Sequence, residues 1–146
     1  MKLVVDASIA IKWVIGEEGS DDALKLLKSA TLAAPDLLVA ECANVLWKKV
    51  QRAELTASEA TLCARLLQRA DIEIHPTRHL LDAATQMAIE LSHPAYDCIY
   101  LGLATANGWR FVTADDRLLR KIRSLGPSSY GPIVMSLSDA VALFSH

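Results

Sequence analysis

Short apolar segments alternate with helical segments along the whole chain, and this alternation constrains the fold more than any other feature. The first segment, residues 2–5, is β-branched and closes on Asp6. Short apolar strands separated by helices are typical of a parallel sheet that is covered on both faces. The predicted strands are residues 2–5, 31–34, 72–75, 110–113 and 133–135. The sequence therefore predicts an α/β fold, a parallel sheet of about five strands with helices on both faces.

Several helices carry start and stop signals in the sequence. Residues 56–59, Thr-Ala-Ser-Glu, have the form of a capping box and predict a helix to about residue 70. Thr77 is expected to cap a helix that ends near Ser92, and Asn107-Gly108 to stop a helix that begins at residue 95. Other predicted helices are 8–14, 20–30, 36–52, 115–124 and 138–144, with a loop at 126–132. No repeat or linker is evident, so residues 1–146 are expected to form a single domain.

Composition excludes several classes of protein. Hydrophobic residues make up 52% of the 146 residues and charged residues 22%, which excludes disorder and collagen-like repeats. The net charge of −2 excludes binding of nucleic acid by bulk charge alone, although a local basic surface is compatible with it. Cys42, Cys63 and Cys98 are far apart in apolar stretches, so we expect buried, reduced thiols in a cytoplasmic protein. No run of about 18 uncharged apolar residues predicts a membrane span.

Common catalytic motifs are missing from the sequence. It contains no phosphate-binding loop, no dinucleotide-binding glycine pattern and no nucleophile elbow. The histidines His75, His79, His93 and His146 have no spacing typical of a zinc site. Any catalytic chemistry must therefore come from other side chains.

Four acidic residues occupy positions that suggest a shared site. Asp6 and Asp115 follow predicted strands, and open parallel sheets bind their ligands at that edge. Glu41 and Asp97 lie in strongly apolar helical segments, where an unpaired charge is costly to bury. If the four side chains converge, their repulsion requires a shared proton or a bound cation. Mg²⁺ or Mn²⁺ suits such oxygen ligands and would activate a water for phosphodiester hydrolysis.

Each of these acidic residues also has a plainer interpretation. Asp6 could cap the helix that follows it. Asp115 and Asp116 are adjacent, so one of them could cap the next helix while the other faces the sheet edge. Asp97 could simply be stabilised by the dipole of its own helix, because it lies in the first turn. Glu41 could lie half-exposed at the edge of its apolar stripe, or pair with an Arg or Lys.

In this pattern the chain resembles the PIN-domain ribonucleases, and among them the VapC toxins of prokaryotic type II toxin–antitoxin systems. Four segments carry the similarity in order: residues 4–8 (VVDAS), 35–46 (PDLLVAECANVL), 96–97 (YD) with the apolar helix after them, and 112–118 (VTADDRL). They span essentially the whole chain. The resemblance implies a PIN-like parallel sheet of about five strands, in line with the α/β prediction.

The resemblance also implies roles for individual residues. The catalytic, metal-holding residues would be Asp6, Glu41, Asp97 and Asp115. The polar residues that match family positions beside the acidic cluster are Ser8, Asn44, Thr113 and Asp116. Ser8 and Thr113 could orient the carboxylates through hydrogen bonds, whereas contact of Asp116 with metal stays open. The family further implies a homodimer and a small antitoxin protein that blocks the site.

Basic side chains provide a candidate RNA-binding surface. The candidates are Lys12, Arg117, Arg120 and Lys121. The last three share one face of the predicted helix 115–124, where they could contact RNA phosphates. A solvated helix face is the plainer interpretation of the same three residues.

Two hypotheses of different kinds follow. The first is a Mg²⁺- or Mn²⁺-dependent endoribonuclease toxin that hydrolyses RNA with a metal-activated water held by four carboxylates and is inhibited by a cognate antitoxin. The second is a non-cleaving regulatory module that binds RNA or a protein partner and whose acidic residues hold a structural metal. Cleavage of RNA by the purified protein distinguishes the two hypotheses.

Overall fold

The computed structural model of the chain describes residues 2–125 and 130–145, and a parallel five-stranded sheet lies at its centre. The strands are β1 (Lys2–Val5), β2 (Thr31–Pro35), β3 (Glu73–His75), β4 (Arg110–Thr113) and β5 (Val134–Ser136). The predicted strands agree with these bounds to within one residue at either end. Of the predicted loop 126–132, residues 126–129 lie outside the described residues, as does His146.

The order of the strands places a crevice at the middle of the sheet. The strands are arranged β3-β2-β1-β4-β5, so β1 has β2 on one side and β4 on the other. The chain first winds from β1 toward β2 and β3, and later from β4 toward β5. Parallel α/β sheets bind ligands where the winding reverses, outside the carboxyl ends of the strands. Here that place lies beyond the ends of β1 and β4.

Helices connect the strands throughout the described residues. They are α1 (Ala7–Ala10), α2 (Ser20–Ser29), α3 (Leu37–Gln51), α4 (Ala57–Gln68), α5 (Leu81–Leu91), α6 (Ala95–Asn107), α7 (Asp116–Ser124) and α8 (Leu137–Ala142). The capping box that starts α4 is confirmed, because Thr56 and Glu59 each accept a hydrogen bond from the other's backbone amide. Gly108 ends α6 with φ 69°, a backbone conformation that suits glycine.

Two helix predictions were wrong in detail. The helix predicted at residues 8–14 is a short α-helix that continues as a 3₁₀ turn, Ile11–Trp13. Thr77 does not cap a helix, because its hydroxyl donates instead to Asp36 Oδ1 at 2.7 Å. The chain after Thr77 forms a 3₁₀ turn, Arg78–Leu80, before α5 begins.

The core lies on both faces of the sheet, as predicted. Alternate residues of β1 point to opposite faces, so Leu3 and Val5 join one buried cluster and Val4 joins the other. The three cysteines are buried and form no disulfide. Within the described segments, no helix is both long and apolar enough to cross a membrane.

Candidate active site

Asp6 lies at the central crevice, directly after β1. Its side chain is buried, and both carboxylate oxygens accept hydrogen bonds from hydroxyl groups. Ser8 Oγ donates to Oδ1 and Thr113 Oγ1 to Oδ2, each at 2.5 Å. Although Asp6 occupies the N-cap position of α1, its side chain makes no capping hydrogen bond to a backbone amide of that helix, and its contact with α1 is the Ser8 hydroxyl. The carboxylate is therefore held between Ser8 of α1 and Thr113 at the end of β4.

The two hydroxyl groups are themselves oriented by backbone amides. The amide of Ala114 donates to Ser8 Oγ at 3.0 Å, and the amide of Asp115 donates to Thr113 Oγ1 at 3.1 Å. A hydroxyl that accepts from an amide directs its own hydrogen elsewhere, here to Asp6. These bonds fix the Asp6 carboxylate and tie the ends of β1 and β4 together.

The charge on Asp6 is unfavourable in this setting. Burial raises the pKa of Asp6 from 3.8 to about 6, the hydroxyl hydrogen bonds of Ser8 and Thr113 oppose that rise, and the negative charge of Asp97 adds to it. At neutral pH the folded protein therefore holds a buried carboxylate whose charge is stabilised only in part.

Glu41 reaches the same region from α3 and is bonded to α6. Tyr100 Oη donates to Glu41 Oε1 at 2.5 Å. Burial raises the pKa of Glu41; the Tyr100 hydrogen bond lowers it, and the negative charge of Asp97 raises it further. Because Asp97 affects the pKa of both Asp6 and Glu41, the three carboxylates form one electrostatic group. The partner of Glu41 is thus a tyrosine rather than an Arg or Lys.

Asp97 lies in the first turn of α6 and contacts a histidine. His93 Nε2 lies 2.6 Å from Asp97 Oδ2, and both side chains are partly buried. His93 precedes α6, so the contact joins the turn before the helix to its first residues.

Asp115 follows β4 and caps α7. Its Oδ1 accepts hydrogen bonds from the amides of Arg117 at 3.0 Å and Leu118 at 3.3 Å. Of the adjacent residues Asp115 and Asp116, it is therefore Asp115 that caps α7, through Oδ1. Asp116 and Asn44 are exposed, and in residues 2–125 and 130–145 neither side chain bonds to the other carboxylates.

Two of the four basic candidates are engaged within the protein. Lys12 Nζ lies 3.2 Å from Glu17 Oε1 and donates to the Glu18 carbonyl at 2.6 Å. Lys121 Nζ donates to the carbonyl of Ser92. Arg117 and Arg120 are exposed on α7. RNA contact by any of the four stays a prediction.

The donor set and its charge fit a hard cation, although the side chains do not form a closed coordination shell. In the described part of the chain, no Lys or Arg forms an ion pair with Asp6, Glu41, Asp97 or Asp115. No group of three or more His, Cys, Asp or Glu side chains there is arranged closely enough to hold a metal ion. Mg²⁺ keeps several waters and commonly takes only one or two carboxylates plus substrate phosphates, so the oxygen donors here suit it.

Sequence reasoning missed two residues of this region, Tyr100 and His93. Both are bonded to the acidic side chains, and they stand three residues after and four residues before Asp97. For His93, the four-residue spacing to Asp97 is the signal that could have pointed to it, whereas the contact of Tyr100 with Glu41, 59 residues away, leaves no local signal. In the sequence, Tyr100 belongs to the apolar helix that follows Asp97, and the spacing of His93 to the other histidines is not that of a zinc site.

The chain belongs to the PIN domain family, whose model matches residues 3–124. Ribonuclease VapC3 of Pyrobaculum aerophilum is 33% identical over 128 residues, which cover 86% of this chain and 98% of that protein. The chain is therefore a PIN-domain protein related to the VapC ribonuclease toxins, as the sequence pattern predicted.

Solved structures confirm the fold. The crystal structure of PAE2754 from Pyrobaculum aerophilum aligns with a TM-score of 0.73 at 22% identity, covering 98% of this chain and 88% of that chain. The structure of VapBC2 from Rickettsia felis, bound to a DNA fragment from its promoter, aligns with a TM-score of 0.63 at 15% identity and covers 93% of this chain and 98% of that chain. At these identities the likeness concerns the PIN-like α/β fold alone.

Proposed function

We propose that this chain is a Mg²⁺- or Mn²⁺-dependent endoribonuclease toxin that hydrolyses RNA phosphodiester bonds. The observation that carries the proposal is the buried Asp6 carboxylate, held by two hydroxyl groups at the central crevice and left without a basic partner among the described residues. A relative at 33% identity is named a ribonuclease, which supports RNA as the substrate.

The proposed cation would be held by Asp6, Glu41, Asp97 and Asp115. When bound, it supplies a water of lowered pKa and stabilises negative charge on the attacked phosphate. Asp6 contributes a carboxylate that is already ionised above about pH 6 and already oriented by Ser8 and Thr113. Little reorganisation is then needed at the moment of reaction.

RNA would approach across the start of α7. Arg117 and Arg120 are exposed on this helix, which begins at Asp115, so their guanidinium groups can contact phosphates that flank the acidic residues. Lys12 and Lys121 would join such a surface only after leaving their present contacts with Glu18 and Ser92.

A homodimer and a small antitoxin are part of the same proposal and rest on family membership. The chain does carry a surface with the character of a protein interface, because large apolar side chains are exposed on α3 and α4. They are Val39, Trp47, Leu62 and Leu66. Co-purification with a small protein encoded beside this chain would support the antitoxin, and harmless expression of the chain alone would count against it.

The test is cleavage of RNA by the purified protein in Mg²⁺, in Mn²⁺ and in EDTA. We expect cleavage that requires the metal and that falls at least about 100-fold in Asp6→Asn. Asp82→Asn, which removes an exposed carboxylate on α5, is the matched control and should cleave like the wild type.

Two outcomes would contradict the proposal. Equal cleavage by Asp6→Asn would exclude the acidic site as the catalytic centre. RNA that is retained but not cut under every metal condition would favour the non-cleaving module.

A further inference from the structure

We propose that His93 and Tyr100 are positioning residues of the acidic site, each holding one oxygen of a carboxylate so that the other oxygen is directed to the cation. His93 holds Asp97, and Tyr100 holds Glu41. The inference rests on the proposed cation-dependent cleavage and adds two residues to it.

The first contact has a defined direction. An ionised carboxylate can only accept hydrogen bonds, so in the 2.6 Å contact Nε2 of His93 carries the hydrogen and Asp97 Oδ2 accepts it. Asp97 Oδ1 accepts no hydrogen bond from the described residues. The imidazole therefore restrains one oxygen of the carboxylate and leaves the other available.

The backbone of the turn that carries His93 is restrained by its neighbours. Ser92, just before it, has the left-handed conformation with φ 49° and ψ 51°, and the Ser92 carbonyl accepts a hydrogen bond from Lys121. The His93 amide donates to the carbonyl of Ala88 at 3.1 Å. Pro94 follows and restricts the conformations open to His93. A turn restrained from three directions is a rigid support for a side chain that orients another.

Tyr100 supports Glu41 in a comparable way. Its side chain is fully buried, and its ring stacks on Phe111 of β4 with centroids 5.6 Å apart and planes 12° apart. The buried, stacked ring fixes the position of the phenol hydroxyl, which donates to the Glu41 carboxylate. Glu41 Oε1 is the acceptor at 2.5 Å.

A third carboxylate follows the same pattern. Asp115 Oδ1 accepts from two amides of α7, whereas Oδ2 accepts no hydrogen bond within the described residues. Among residues 2–125 and 130–145, Asp97, Glu41 and Asp115 thus each have one oxygen held by a protein donor and one oxygen that accepts no hydrogen bond. A carboxylate fixed at one oxygen cannot rotate freely, so the second oxygen is oriented before a cation arrives.

The experiment measures Mn²⁺ affinity by calorimetry on the full chain, together with its cleavage of RNA. In His93→Leu and Tyr100→Phe we expect Mn²⁺ to bind on the order of 10- to 100-fold more weakly than in the wild type. His93→Gln keeps an N–H group near Nε2 and should recover most of the affinity. At saturating Mn²⁺, the kcat of each variant should return close to that of the wild type.

Matched controls remove the same kind of bond elsewhere. His75→Leu removes a histidine contact to Glu73 at 2.8 Å, and Tyr130→Phe removes a tyrosine hydrogen bond to Glu90 at 3.0 Å. Both should bind Mn²⁺ like the wild type. The thermal midpoint of each variant in EDTA reports any general loss of stability.

The outcomes separate this inference from the proposed function. If the wild type binds Mn²⁺ and cleaves RNA while both variants bind equally well, the positioning role is wrong and the function stands. If affinity falls only together with the midpoint in EDTA and His93→Gln restores nothing, the role is structural and the inference is also overturned. If the wild type neither binds Mn²⁺ nor cleaves, both fail together.

Discussion

Asp6 is the residue at which function opposes stability. Its carboxylate is buried, and its neighbours include the negatively charged Asp97, so the charged form is disfavoured in the folded protein. An all-hydrophobic or amide side chain would avoid this penalty. The two hydroxyl groups that hold Asp6 reduce the penalty without removing it, as the raised pKa of about 6 indicates.

The positions of the acidic residues follow from the sequence, whereas their partners do not. Asp6 and Asp115 are predictable because they lie one and two residues after an apolar strand, and strand ends of a parallel sheet meet at one edge. In the sequence, Tyr100 is one of several large side chains on an apolar helix, and only the tertiary fold brings Glu41 of α3 to its hydroxyl. A contact across 59 residues of chain leaves no local signal.

The first prediction concerns Asp6→Asn in the metal-free protein. The folded pKa of about 6 exceeds the unfolded value of 3.8, so the stability contributed by the protonated carboxyl is complete below about pH 3.8 and is lost as pH rises through 6. Between pH 4.5 and 7.5 the wild type should lose about 2 kcal/mol of unfolding free energy that Asp6→Asn does not lose. Urea denaturation in EDTA at pH 4.5 and 7.5 measures the difference.

Asp82→Asn is the control for this comparison, since the side chain is exposed. It should follow the pH profile of the wild type. Parallel profiles of wild type and Asp6→Asn would show that Asp6 carries no unfavourable charge in the fold.

Among the elements, the C-terminal end of α3 is unusual because an alanine adopts the left-handed conformation there. The amides of Ala53 and Glu54 donate to the carbonyls of Val50 at 3.0 Å and Lys49 at 2.9 Å, the pattern of a Schellman motif. The motif needs one residue in the left-handed conformation. Glycine is usual at this position, but here it is Ala53, with φ 58°. The sequence predicts an end of this helix near residue 52, but no glycine marks the reversal, so the motif itself was not foreseeable.

The second prediction is that Ala53→Gly stabilises the protein by about 1 kcal/mol, because glycine has no Cβ to clash in the left-handed conformation. Gly108→Ala makes the reverse substitution at another left-handed position. Gly108 ends α6 with φ 69°, and a Cβ there would meet no atom within 4 Å, so the change isolates the backbone penalty and should destabilise by a similar amount. Urea denaturation measures both, and a loss of stability in Ala53→Gly would contradict the argument.

At the scale of the whole molecule, the sheet order brings chemistry from distant parts of the chain to one place. Asp6 and Thr113 are 107 residues apart in sequence and 2.5 Å apart at their bonded oxygens. The α/β class and the strands are local properties that periodicity and strand length reveal. The order β3-β2-β1-β4-β5 depends on how the helices pack, and the sequence pattern predicted the number of strands and not their order.

This arrangement leads to the last prediction, that the proposed cation stabilises the fold as a whole. Its ligands would include residues after β1 and after β4, and these two strands are paired at the centre of the sheet. A ligand that binds only the folded state at about 100 times its Kd adds about 2.7 kcal/mol to the unfolding free energy. For a chain of this size, that corresponds to a rise in Tm of about 5–10 °C.

Thermal unfolding of the wild type in Mn²⁺ and in EDTA, at matched ionic strength, measures the effect, and Asp82→Asn should repeat it. In Asp6→Asn we expect the rise in Tm to be lost, since the ligand at the central crevice has been neutralised. A rise of equal size in Asp6→Asn would mean that Mn²⁺ stabilises the protein elsewhere. The hydrogen bonds among Asp6, Ser8 and Thr113 and the amides that follow β4 would then reinforce the pairing of β1 and β4 without help from a cation.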